Sequence, residues 1–388
     1  MTIASRKWVQ LNLGFDPKTT PPPPGAFATT AAAVAGAGLE DIQREIIDFD
    51  SEGPEGAAFF AFSTATGLTR YVDPPWPPKL APKADSSARK TKSGALPQAD
   101  VLVVTWTVDE GHALSRVLTP GKDSRNDYLP YKHNFARIAK KMRKGCPALN
   151  AKRLGAYWTG TIGSKRVVYF KSDSHLSQDT KVAPQTGETL PNQDVWQQII
   201  NEVRPRLVIT TGTAGGIGPD CEVGDVVVSP VVSFDCQKWL RGEPFKQASY
   251  KSAAPDTRLF AKAKELFKTN VDRLPPENKR APKIIRGRSV ATSVLTTDFF
   301  GFDTSNDHFK LQGHGSVSEM GDAVLGLVAQ QAGAGMPNYL AVRNVSDPQI
   351  KAEGTLKDQA HVAAQIYKGY GRWSSVCSAI VCWALIAA

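Results

Sequence analysis

Apolar positions along the chain fall into two patterns. Short, nearly unbroken runs of aliphatic and β-branched residues occur at 101–106 (VLVVTW), 207–211 (LVITT), 223–228 (VGDVVV) and 339–344 (YLAVRN). Each is too short for a helix, so each predicts a buried strand. Residues 153–172 alternate about a Gly-Ser pair and predict a hairpin. The second pattern is helical. Met320, Ala323, Val324, Leu327 and Val328 share one face of a predicted helix over 319–334. Shorter helices are expected from about Glu110 and over 194–203, and the apolar run 376–388 predicts a closing helix. Leu39, Ile42, Ile46 and Ile47 predict a short amphipathic helix, and 57–63 with 68–72 a hairpin.

Composition divides the chain. Residues 1–73, with four prolines in a row after Thr20 and an Ala-rich stretch, form an N-terminal extension of no assignable chemistry. Residues 74–98, rich in Pro, Lys, Ala and Ser, read as a linker. Residues 99–388 hold all the strong strand and helix patterns and constitute the main domain. At 388 residues and 41% hydrophobic, the chain has ample material for a large core. Its five cysteines (146, 221, 236, 377 and 382) include no C-x-x-C pair, which argues against a disulfide framework or zinc site and fits a reducing, cytoplasmic setting. No stretch reads as a signal peptide, and the longest apolar run is too short to span a bilayer, so no membrane is expected.

Charge adds a second element. The net charge is +10 and the pI about 9.3, favouring anionic partners. Residues 128–171 contain no Asp or Glu, and Arg137, Lys140, Lys141 and Lys144 fall at helical spacing. Such a face is either solvated or the phosphate rim of a nucleotide site. It lacks an aromatic stacking platform, so nucleic acid is the less expected partner.

Three stretches carry the candidate chemistry. The first, 206–230, reads as strand, glycine-rich turn, short loop and second strand, with Thr213, Ala214, Gly215 and Gly216 in a sharp turn that places a hydroxyl and bare amides at the end of the strand at 207–211. Strand ends of this kind hold small ligands in α/β sheets. The second is Ser318-Glu319-Met320-Gly321-Asp322, and the third is Val342-Arg343-Asn344-Val345-Ser346-Asp347. In this order they resemble the purine nucleoside phosphorylase and nucleosidase superfamily, over roughly 99–388. The resemblance implies a three-layer α/β/α sandwich with a central mixed sheet, and an enzyme that cleaves the N-glycosidic bond of a purine nucleoside or nucleotide.

It also implies roles. Asp347 would protonate the purine at N7, although read alone it is also a turn-forming Ser-Asp-Pro. Glu110, last of an acidic pair after the first strand, would hold the attacking water; read alone, Asp109 and Glu110 simply complement a helix N-terminus. Phe300, with Asp298 beside it, matches the segment lining the base. Related enzymes carry Glu-Met-Glu where this chain has Glu319, Met320 and Gly321, so the ribose contact passes to Glu319 or Asp322. Breaking the bond calls for an acid at the base and a carboxylate near the sugar, the division of labour of paired-carboxylate glycosidases, and for no metal or cofactor. Keeping Glu110 while lacking a glycine-containing loop at 171–175 favours water over phosphate as nucleophile. A phosphate-dependent phosphorylase is the first alternative; an inactive nucleotide-binding or signalling domain is the second. The basic surface suggests AMP or ATP as substrate, as in nucleotide-depleting antiviral effectors. A homo-oligomer is expected, and the extension could dock a protein partner.

Overall fold

In a computed structural model the described residues are 74–87, 91, 93–180, 190–267, 278, 280–333 and 335–388. The helix expected at 39–47, the hairpin at 57–72 and the rest of 1–73 lie outside them.

The chain begins with a two-residue strand β1 (Lys83–Ala84), then β2 (Val101–Thr105) and α1 (Val108–Leu118). Next come β3 (Leu129–Tyr131), α2 (Phe135–Ala139), α3 (Pro147–Ala151), β4 (Gly155–Ile162), β5 (Lys165–Ser172), α4 (Leu176–Asp179) and α5 (Pro191–Val203). The second half holds β6 (Leu207–Gly216), β7 (Val226–Ser229), β8 (Val231–Asp235), β9 (Ser249–Lys251), α6 (Phe260–Phe267), β10 (Ile284–Arg286) and β11 (Val294–Thr297). It closes with β12 (Val317–Glu319), α7 (Asp322–Ala332), β13 (Asn338–Asp347) and α8 (Leu356–Ala387).

Among the described residues the strands join one mixed sheet in the order β1-β4-β5-β2-β6-β12-β11-β8-β9. At β6 the sheet forks: β13 runs parallel to it and also pairs antiparallel with β7. The four strands β5, β2, β6 and β13 are mutually parallel neighbours, so their carboxyl ends open on one edge.

Burial on both faces explains the apolar runs. Val101, Val103 and Ile209 pack with α1, α6 and α8 on one face. Leu102, Val104 and Val208 pack with α5 and α7 on the other. Each such side chain contributes about 1.5–3 kcal/mol when buried, and a one-residue slip would exchange the two sets, so register is strongly determined. The result is the three-layer α/β/α arrangement.

Four elements differ from expectation. α1 starts two residues early because Thr107 forms a capping box: its hydroxyl accepts from the Glu110 amide at 3.3 Å while its own amide donates to Glu110 at 3.0 Å. The glycine-rich segment does not turn. β6 stays extended through Gly216, held by β13 on one side and by antiparallel β12 at Gly215 and Gly216. α2 ends at Ala139, so Arg137, Lys140, Lys141 and Lys144 share no helix face; the chain continues in tight turns, and the Arg143 amide leaves for the carbonyl of Asp179. α8 begins twenty residues before the apolar run, at a Thr355–Asp358 capping box, because Ala360, Ala363 and Ala364 are also buried against the domain.

Part of the Pro- and Lys-rich stretch lies on the domain. β1 pairs with β4, Trp76 meets the Trp383 ring at 4.9 Å, and the Trp383 indole donates to the Leu80 carbonyl at 2.6 Å. Among the described residues no helix is long and apolar enough to cross a membrane.

Candidate active site

A cleft opens at the carboxyl ends of β5, β2, β6 and β13. Each strand delivers something to it. His175 follows β5; Trp106, Thr107 and Glu110 follow β2; Thr213, Ala214 and Gly215 end β6; Arg343, Ser346 and Asp347 end β13. Thr297, Phe300 and Gly301 approach from the end of β11, Ser318, Glu319 and Met320 from β12, and Tyr367 from α8.

Glu110 is almost wholly buried and accepts five hydrogen bonds. One carboxylate oxygen takes the Thr213 amide and hydroxyl, both at 2.7 Å. The other takes the Thr105 hydroxyl and Trp106 amide at 2.9 Å and the Thr107 amide at 3.0 Å. Burial alone would raise its pKa, but the Arg343 charge and the Thr107 and Thr213 bonds outweigh burial and hold it below the usual range. It is a fixed anion. The close approach of β6 depends on Gly212, whose φ is +147° and where any Cβ would strike the Glu110 carboxylate.

Asp347 is built the opposite way. It is 7% exposed and, among the described residues, accepts one hydrogen bond, from the Ser346 hydroxyl at 2.8 Å, with no cation paired to it. Burial pushes its pKa up to about 6, with the Ser346 bond opposing weakly. Its other oxygen faces Gly215, where an added Cβ would lie 3.1 Å away. Gly215 therefore keeps the approach to Asp347 open.

The third group is a buried cluster. Arg343 donates to Asp322 through Nε at 2.8 Å and Nη2 at 2.5 Å, and to Glu319 through Nη2 at 3.1 Å. It also stacks 4.7 Å from the Trp106 ring. Glu319 further accepts from the Thr296 hydroxyl and, at 2.9 Å, the Asp322 amide. Burial and the neighbouring Asp322 charge raise the Glu319 pKa, against the pull of Arg343.

Glu110, Thr213, Ala214, Gly215, Phe300, Glu319, Met320 and Asp347 are thus gathered at one cleft. Other expected site residues are elsewhere. Gly216 lies behind the cleft against Cys221 and Val345. Asp322 is committed to Arg343 and does not line the cleft, so a direct ribose contact falls to Glu319. Asp298 is fully buried and accepts the amides of Gln237, Lys238 and Leu240, at 2.9, 3.1 and 2.6 Å, which makes it an anchor for that loop and not a base contact. Lys140, Lys141 and Lys144 do not line the cleft; Lys141 pairs with Asp194 at 2.6 Å. Among the described residues no group of three or more His, Cys, Asp or Glu side chains could hold a metal ion.

Sequence reasoning assigned no role to Arg343, Trp106, His175 or Tyr367. Arg343 stood in a quoted motif, and its signal was an arginine inside an otherwise buried strand. Trp106 stood at the end of a predicted buried strand, His175 in the loop at 171–175, and Tyr367 in no predicted element.

The chain is similar to several known proteins. A 5′-methylthioadenosine/S-adenosylhomocysteine nucleosidase of Exiguobacterium sp. is 30% identical over 147 residues, covering 37% of this chain and 57% of that protein. The enzyme of the same name from Halalkalibacterium halodurans is 33% identical over 116 residues, covering 29% and 45%. The chain therefore spans about half the length of the curated relatives it matches. Among solved structures, the 5′-methylthioadenosine/S-adenosylhomocysteine nucleosidase of Neisseria meningitidis aligns with a TM-score of 0.43 at 15% identity, over 74% of this chain and 99% of that one. Futalosine hydrolase of Helicobacter pylori aligns at 0.44 and 15%, over 73% and 96%. The family profile described as the phosphorylase superfamily matches residues 129–369, and the chain belongs to that superfamily.

Proposed function

We propose that this chain hydrolyses the N-glycosidic bond of an uncharged purine nucleoside, with Asp347 as the acid and water as the nucleophile. The observation that carries the reading is the pairing, in one cleft, of a buried carboxyl that keeps its proton up to about pH 6 and a carboxylate held ionised by five donors. Bond cleavage leaves negative charge on the base and positive charge on the sugar. A proton from Asp347 relieves the first. Glu110 stabilises the second and aligns water, because two of its five donors, the hydroxyls of Thr105 and Thr213, can rotate and yield a lone pair. Phe300 offers a ring to the base, and the Glu319 carboxylate an acceptor to the sugar. The relatives named above, nucleosidases by name, support the same reaction class.

Charge argues for an uncharged substrate and against phosphate as nucleophile. Glu110, Glu319 and Asp347 line the cleft, and Arg343, its cation among the described residues, already serves Asp322 and Glu319. A phosphate, free or at the sugar 5′ position, would meet carboxylates with no uncommitted cation to offset them. The AMP or ATP substrate and the antiviral role expected from the surface charge therefore gain no support from the cleft. The test is chromatographic: adenosine, inosine, methylthioadenosine, AMP and ATP, each with and without inorganic phosphate. Base release from nucleosides without phosphate is expected. Release only with phosphate would make the chain a phosphorylase.

A further inference from the structure

The cleft contains one polar side chain that this reaction does not use. His175 lines it, and among the described residues its ring makes no hydrogen bond; its backbone amide donates to the Asp179 carboxylate at 3.0 Å and its carbonyl accepts the Asp179 amide at 2.8 Å. The loop that presents it is rigidly held. Ser174 donates to Asp179 at 2.5 Å and receives the Asn192 amide at 2.9 Å. A fixed imidazole with open nitrogens at a ligand cleft is a hydrogen-bonding group without a partner.

Strand order tells where on the substrate it falls. Asp347 ends β13, Thr213 to Gly215 end β6, Glu110 follows β2, and His175 follows β5, and these four strands are consecutive parallel neighbours. At about 4.8 Å per strand, His175 is anchored roughly 14 Å from Asp347. A nucleoside with its purine at Asp347 lays its sugar across β6 and β2. Its far end, the 5′ substituent, then points toward β5.

We propose that His175 reads the 5′ end of the substrate, hydrogen-bonding an uncharged polar 5′ group such as a free hydroxyl. This rests on the nucleosidase reading and goes beyond it by choosing among nucleosides. The surroundings favour an uncharged group. The two nearby cations, Lys171 and Arg153, are both held by Asp173, the latter at 2.6 Å. Burial, with Lys171 nearby, lowers the imidazole pKa to about 4, so the ring is neutral at physiological pH and offers one donor and one acceptor.

The test compares kcat/KM for base release from adenosine, 5′-deoxyadenosine, 5′-methylthioadenosine and AMP, in the full chain and in His175→Phe and His175→Gln. Wild-type protein should prefer adenosine over 5′-deoxyadenosine by about tenfold, one hydrogen bond's worth. The Phe variant should lose that preference, falling on adenosine more than on 5′-deoxyadenosine, and Gln should restore part of it. An unchanged preference in the Phe variant, or AMP as the best substrate, overturns the assignment while leaving the nucleosidase reading intact. If wild type releases base from none of them, the nucleosidase reading fails on its own account. Titration calorimetry then decides the role of His175: equal affinities for adenosine and 5′-deoxyadenosine overturn it, and a tenfold gap that closes in the Phe variant supports it.

Discussion

Asp347 and Glu110 are the same functional group, buried to a similar degree in one cleft, and their surroundings drive them apart. Glu110 sits in a ring of five donors with Arg343 nearby and is kept ionised. Asp347 has a single hydroxyl for company, and burial keeps its proton on to about pH 6. Burial is common to both, so it does not decide the charge; the number of donors and the nearest cation do. A fold that separates two carboxyls in this way has an acid and an anion available together near neutral pH.

The comparison can be broken at either carboxyl. Asp347→Asn removes the acid with little change of shape. Base release should fall about 10²- to 10⁴-fold, measured as kcat on the best nucleoside. Gly212→Ala attacks the other side, because its Cβ must displace the Glu110 carboxylate at a φ of +147°. Loss on the order of 3 kcal/mol or more is expected, seen as poor soluble yield or a sharply lowered Tm. Glu110→Gln sets an amide against donors that need a carboxylate. A loss of about 3 kcal/mol, or roughly 10 °C in Tm, should accompany the loss of activity.

A finer test uses pH. Asp347 has a folded pKa near 6 against an ordinary 3.8, so the folded state keeps a proton that the unfolded state has lost. Its contribution is favourable below pH 3.8 and declines as pH rises through 6, becoming a cost above that. Asp347→Asn should therefore be more stable than wild type at pH 8, by up to about 3 kcal/mol, with little difference at pH 4. Equal Tm values for the two proteins at pH 8 would remove the claim that Asp347 is strained by burial. The smallest effect is expected at the surface. Replacing Lys140, Lys141 and Lys144 together by Ala should change KM by roughly twofold at most, since none lines the cleft.

Much of the fold and of the site is legible in the amino-acid sequence. β2, β6 and β13 announce themselves as β-branched runs because they are buried on both faces. α1 is marked by Thr107 and Glu110, the two residues of its capping box. The candidate acid and anion are close to strand or helix ends, where local sequence shows them. What escaped was set by distant partners. Asp322, at the start of α7, looks like a free carboxylate until Arg343, on β13, closes on it. Asp298 looks like a site residue until three amides from the 237–240 loop enclose it. The glycines at 212–216 suggest a turn, yet strand pairing on both sides keeps them extended. His175 has no local pattern at all; only the order of strands brings it to the cleft.

The most direct measurement is the pH dependence of adenine release from adenosine, without phosphate, in wild type and Asp347→Asn. The account predicts phosphate-independent release whose kcat falls as pH rises above about 6 in wild type, with the variant slow and without that limb. A variant that keeps wild-type activity and the same falling limb would contradict it, and would move the acid elsewhere in the cleft.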